Sequence, residues 1–165
     1  VVCGEECMIH PSSDHAPTSP LRLYSDADIP LIARLADGVH RFGALFGLEL
    51  SHAGKSAANR TTREYPLGPS ALPYSGYGPF ATRAMDKSDI KALRQWHKDA
   101  ARRAISAGVD IVYVYCAHDL SILMQFLLRR YNDRTDEYGG SFENRTRLLR
   151  ERVEDTKEIA EGKAA

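Results

Sequence analysis

Apolar residues along the chain alternate between two spacings. Continuous apolar runs occupy residues 1–8 (VVCGEECM), 44–51 (ALFGLELS) and 109–117 (VDIVYVYCA); the latter two predict strands buried on both faces, the first a short strand. Between and after them the spacing changes to the helical period. Ile29, Ile32, Ala36 and Val39 make one stripe with Leu35 on its flank. Ile90, Leu93, Ala100, Ala104 and Ala107 make a second, flanked by Trp96, and Leu149, Val153, Thr156 and Ala160 a third. Helix starts are expected at Ser25, where Asp28 supplies an acidic variant of the capping box, at Asp86 or Ser88, and at Ser141. Gly43, Gly108 and Gly162 stand where those helices should stop.

Strand and helix therefore alternate three times, the pattern of an α/β fold with a parallel sheet. Residues 10–24 and 51–85 read as loops, as does the polar stretch before Ser141. The two longer loops each follow a strand and precede a helix, which puts them at the carboxyl ends of the strands, where α/β folds bind ligands. Three strands cannot close a barrel, and a sheet so narrow leaves apolar edges uncovered. The pattern favours a segment of a larger barrel over a small three-stranded sandwich, with residues 1–165 forming one partial domain and no second domain.

Charge and composition narrow the partners. The 22 basic and 22 acidic residues balance, which argues against nucleic acid or an acidic membrane surface. No apolar run reaches the ~18 residues of a membrane span, and no signal peptide is visible. Three cysteines, Cys3, Cys7 and Cys116, are too few for a disulfide framework and fit a reducing, cytoplasmic setting. The first residue is Val, already inside an apolar run, as expected of a piece of a longer chain.

Candidate chemistry gathers near the strand ends. Ile111, Tyr113, Tyr115 and Ala117 share one strand face, and His118 follows where the strand gives way to loop. A phenol and an imidazole so placed can hold a polar substrate or pass a proton; equally, Tyr115 can bond to backbone with His118 merely exposed. Glu49 lies near the end of an apolar run, and a carboxylate there needs a partner. That partner is either a ligand N–H or cation, or an arginine of the same sheet. His52 and Lys55 can reach the same mouth. Residues 131–147 read as a rigid loop held by internal Arg–Asp pairs, with Gly139-Gly140 as a tight turn before Ser141. Cys3, Cys7, His10 and His15 could be drawn as a zinc site, but the spacing is poor and cysteine in a buried strand is an ordinary small hydrophobe, so no metal is expected. Dinucleotide and Walker fingerprints are absent.

The string RYNDRTDEYGGSFENR at residues 130–145, with Gln125-Phe126-Leu127 and VDIVYVY before it, resembles the signature of the old yellow enzyme family of FMN-dependent oxidoreductases. The likeness extends over almost the whole chain and is greatest to the amine dehydrogenase branch, the trimethylamine, dimethylamine and histamine dehydrogenases. It implies a (βα)8 barrel of which this chain covers about strands two to four and their helices, with FMN at the carboxyl ends. It also implies a substrate-binding and catalytic pair in Tyr115 and His118, at positions where ene-reductases carry His and Asn, and a cofactor contact from Glu49 to an N–H of the isoalloxazine edge. Leu120 stands where ene-reductases place a proton-donating tyrosine, which counts against alkene reduction. The reaction implied is hydride removal from the carbon beside an amine nitrogen, with an iminium that hydrolyses to aldehyde and a smaller amine. Other expected parts of such an enzyme lie outside this sequence: a third relay residue, phosphate-binding loops and iron–sulfur ligands. The partners expected are a small amine, an electron acceptor of unspecified kind and a second copy of the full-length protein. Two alternatives stand beside this: an ene-reductase or dienoyl-CoA-reductase-like flavoprotein, and a truncated chain that cannot hold FMN and self-associates.

Overall fold

The structure, a computed structural model, describes residues 1–14, 21–60, 62–74 and 80–165; His15 lies outside them. In chain order the elements are β1 (Val2–Met8), β2 (Leu21–Arg22), α1 (Ile29–His40), β3 (Phe46–Ser51), β4 (Leu67–Gly68), β5 (Pro73–Tyr74), β6 (Phe80–Ala81), β7 (Arg83–Ala84), α2 (Lys87–Ser106), β8 (Ile111–Val114), α3 (Ile122–Leu127) and α4 (Phe142–Ala160). One four-stranded sheet runs in the order β2-β1-β3-β8, and every pair in it is parallel.

Register decides which side chains face which way. Gly47 pairs with Ile111 and Glu49 with Tyr113, while Leu48 pairs with Val112 and Leu50 with Val114. Successive residues alternate faces, so Phe46, Leu48, Leu50 and Val112 point to one side. There they join Ile32, Ala36, Leu93, Ala100, Ala104 and Leu148 in a single core. Among the described residues no α-helix covers the other side, and Tyr113 on it is 38% exposed. The expectation of strands buried on both faces holds for β3, where five of six residues are buried and Glu49 is half-buried, and less for β8, where of four residues only Val112 is buried. The strand expected over 109–117 is also shorter, so Tyr115 lies just past its end.

Local signals set the helix boundaries. Ser25 and Asp28 make the expected capping box on a single 3-10 turn that leads into α1, and Asp86 with Asp89 does the same for α2. Ser141 accepts from the Asn144 amide to start α4. Asp110 ties three elements together: its Oδ2 accepts from the Phe46 amide at 2.8 Å and lies 2.7 Å from His40 Nε2.

Two further expectations change. The third stripe is rotated: α4 buries Arg145, Leu148, Arg152, Asp155, Thr156 and Ala160, whereas Val153 is 38% exposed. Arginine positions read as solvent-facing in a hydrophobicity pattern, yet two of them face inward here. The long loops also contain structure. Residues 51–85 hold a 3-10 turn at Gly54–Ser56, a parallel pair β4–β7 and an antiparallel pair β5–β6, and α3 occupies the stretch before Ser141.

Leu48, with no exposed surface, sits where β3 meets the helices. Leu48→Ala is expected to lower the unfolding free energy by about 2–5 kcal/mol, read from the midpoint of a urea transition. A loss below about 1 kcal/mol would contradict this packing.

Candidate active site

All four strands of the main sheet run the same way, so their carboxyl ends gather on one rim. Tyr115 leaves the rim at the end of β8. Its hydroxyl lies 2.5 Å from Nδ1 of His118, with the ring centroids 6.0 Å apart. What turns the imidazole back is the backbone. His118 has φ 58° and Asp119 φ 61°, two consecutive non-glycine residues in the left-handed region, a conformation that side chains disfavour.

Burial raises the Tyr115 pKa, and the carboxylates Glu6 and Glu49 raise it further. The phenol therefore keeps its proton at neutral pH, and its hydroxyl shares one hydrogen bond with His118 Nδ1 whose direction follows the imidazole tautomer.

Glu49 shares the helix-free face with Tyr113. Among the described residues its only hydrogen-bonding contact is the Cys3 thiol, at 3.8 Å. No arginine of the sheet pairs with it, so the structural ion pair is not formed. On the neighbouring strand Glu6 accepts from Ser51 Oγ at 2.5 Å. A register shift between Gly4 and Glu6 leaves Cys3 paired with Gly47 and Cys7 with Leu50, on opposite faces. These two thiols cannot converge on one ion.

His52 does not reach the mouth. It is fully buried, turned toward the helices, and stacked at 6.0 Å from Trp96. Its Nδ1 accepts from the Gly54 amide at 3.0 Å, and its Nε2 lies 3.1 Å from Ser12 Oγ. Ser12 in turn lies 2.8 Å from His10 Nδ1, and the His10 ring stacks on Trp96 at 3.7 Å.

Lys55 does approach the site, through a residue that spacing did not single out. Asp119 Oδ2 accepts from Tyr131 Oη at 2.7 Å and Arg130 Nη2 at 2.9 Å, and Lys55 Nζ lies 3.7 Å away. The loop over 131–147 is the expected scaffold. Arg134 grips Asp136 through two bonds, 3.0 and 2.5 Å, and donates to the carbonyls of Pro69 and Met85. Asn132 Nδ2 donates to Phe126 O and Tyr138 O. A side chain on Gly139 would meet the Arg134 carbonyl oxygen at 2.1 Å, so the turn closes only with glycine there.

The model of the NADH:flavin oxidoreductase / NADH oxidase family matches residues 1–163. The chain belongs to that family. It is 36% identical over 160 residues to the dimethylamine dehydrogenase of Hyphomicrobium sp. (strain x), covering 91% of this chain and 21% of that protein. It is 39% identical over 142 residues to an NADPH dehydrogenase of Bacillus licheniformis, covering 86% and 40%. Among solved structures, histamine dehydrogenase from Rhizobium sp. 4-9 superposes with a TM-score of 0.96 at 45% identity, over 100% of this chain and 26% of that one. The 6-hydroxypseudooxynicotine amine oxidase from Pseudomonas geniculata N1 does so at 0.96 and 52%, over 100% and 25%. The family is one of FMN-dependent oxidoreductases, and the α/β fold seen here is a segment of its TIM barrel. The chain spans between about a fifth and two fifths of the curated relatives it matches.

The buried imidazoles make stability pH-dependent. Burial, then the charges of His10 and Arg152, push His52 from 6.5 to about 3, and burial lowers His97 and His10 as well. His52 and His97 stay neutral in the fold but take up protons in the unfolded chain, so the stability they contribute is complete above about pH 6.5 and is lost as pH falls. Between about pH 6 and 4 the His52 imidazole should add a slope approaching ~1.4 kcal/mol per pH unit. Urea unfolding across that range, with His52→Gln showing a shallower slope than wild type, checks it; equal slopes would contradict it.

Proposed function

We propose that this chain is the substrate-binding part of an FMN-dependent amine dehydrogenase, in which Tyr115 and His118 hold a small amine and Glu49 meets the flavin. The carrying observation is the 2.5 Å contact between Tyr115 Oη and His118 Nδ1, beside a strand end that carries a carboxylate.

The residues present suit FMN on one edge. A flavin ring offers an N–H, and Glu49 is an acceptor on the helix-free face whose described contact is one weak thiol. When bound, FMN would supply the two-electron acceptor. The protein's own part is positional. Tyr115 and His118 fix a donor at the carboxyl rim of the sheet, and an amine or its oxygenated analogue would lie against it. Glu6 and Glu49, the two carboxylates felt by Tyr115, make the face favourable to a cationic or N–H-bearing guest. Leu120 offers no exchangeable proton, which speaks for oxidation beside nitrogen over reduction of an alkene. Similarity to proteins named dimethylamine dehydrogenase and histamine dehydrogenase supports the same substrate class.

Likeness to NADPH dehydrogenases keeps one competing reading, reduction of activated alkenes. In the full-length protein, anaerobic addition of small primary, secondary and tertiary amines should bleach the flavin. Failure of every amine, together with rapid NADPH-driven reduction of an enone, would favour the competitor. Tyr115→Phe and His118→Gln should each lower kcat/KM for the amine by about 10²–10⁴-fold with flavin content unchanged. Glu49→Ala should instead lower the flavin retained after dialysis, and Glu49→Gln should retain more than Glu49→Ala. Full retention in Glu49→Ala would remove Glu49 from the cofactor site.

A further inference from the structure

Three costly features coincide at one short segment. His118 and Asp119 are both in the left-handed region, each costing on the order of 1 kcal/mol or more. The third is an oxygen of Asp119, Oδ1, which is buried with no hydrogen-bond partner among the described residues. Such features persist only where the surroundings over-determine them.

The surroundings here are specific. Asp119 Oδ2 is held by Tyr131 Oη, Arg130 Nη2 and Lys55 Nζ. Both cations also lie over the Tyr131 ring, with Lys55 Nζ 4.4 Å and the Arg130 guanidinium 4.6 Å from its centroid. Lys55 comes from the loop after β3, and its backbone amide is fixed by Gln125 Oε1 at 2.9 Å. Arg130 and Tyr131 follow α3. Two segments thus converge on one carboxylate that belongs to the residue next to His118.

We infer that Asp119 is a positioning residue: clamped by Lys55, Arg130 and Tyr131, it holds the backbone turn that sets the His118 imidazole against Tyr115. The clamp also fastens the rim of β3 to the rim of β8, so Glu49 and the Tyr115–His118 pair keep a fixed relation. Asp119 touches neither Tyr115 nor the imidazole through its carboxylate. It acts through the main chain it shares with His118.

Glycine separates this idea from simple backbone preference. Asp119→Gly relieves the left-handed cost while removing the clamp. If backbone conformation alone sets His118, that variant should be as well ordered as wild type. If the clamp sets it, His118 is released although the fold is not destabilised. The measurement is 15N NMR of histidine-labelled full-length protein, with His118 assigned by its loss in His118→Gln. Wild type should show one dominant tautomer, held by the hydrogen bond to Tyr115. Asp119→Gly should move both nitrogens toward the averaged values of a free imidazole, as Tyr115→Phe does, and Asp119→Asn, which keeps an acceptor for Tyr131, should recover much of the wild-type spectrum.

The kinetic arm rests on the amine-oxidation reading. There Asp119→Gly should lower kcat/KM by about 10- to 100-fold, the scale of a misplaced catalytic group, with Asp119→Asn recovering a large part. Wild-type tautomer and wild-type turnover in Asp119→Gly would overturn the inference. Absence of amine turnover in the wild type would overturn the functional reading alone, because the spectral comparison needs no substrate.

Discussion

Parallel register between β1, β3 and β8 is the constraint on which the rest depends. Pairing Glu49 with Tyr113 and Leu50 with Val114 puts every large aliphatic of β3 under the helices and every polar group of interest on the other side. A slip of one residue would exchange the two sets. Because the strands run the same way, one rim collects the loops after β1, β3 and β8. Those loops are stitched to one another: Ser13 Oγ accepts from the Ala53 amide, the Ile122 amide donates to His52 O, and Lys55 reaches Asp119. The site is the consequence of that stitching and not of any one loop.

Buried cations do much of the fastening. Half-buried Arg134 and buried Arg145 each donate to two main-chain carbonyls, Arg134 holding Asp136 as well, which keeps those acceptors of two irregular segments paired. Arg152 is different. It is 1% exposed, bonds to His97 Nδ1, and keeps its Nε without a hydrogen-bond partner. Burial lowers its pKa to about 9, the mark of a cation held at real cost between α2, α4 and the end of β8.

Features governed by local chemistry were legible in the sequence. The capping residues Ser25, Asp86 and Ser141 and the terminator Gly108 act on neighbours within a few residues, and each is found in its expected role. Three of the four strands of the main sheet were legible as apolar runs, whereas β2, two residues long, lies in a stretch that reads as a loop. The α4 stripe was misread since Arg145 and Arg152 are satisfied by groups far along the chain. The hexapeptide ILMQFL of α3 shows too little of a period to distinguish a helix from a loop. Spacing left Tyr115 and His118 open between site and background; the hydrogen bond between them depends on the turn at 118–119, and that turn depends on Lys55 and Tyr131, whose meeting no local pattern reports. The family signature gave the pair a role, and the clamp behind it is visible only in three dimensions.

The central claim is that Tyr115 and His118 hold an amine for oxidation at the carbon beside its nitrogen. Its most direct test is an anaerobic single-turnover measurement of flavin reduction in the full-length protein, using an amine and the same amine deuterated at that carbon. A primary isotope effect on flavin reduction, with reduction slowed in Tyr115→Phe, is the predicted result. Flavin reduction that is insensitive both to the deuterium and to the loss of the phenol would contradict the account.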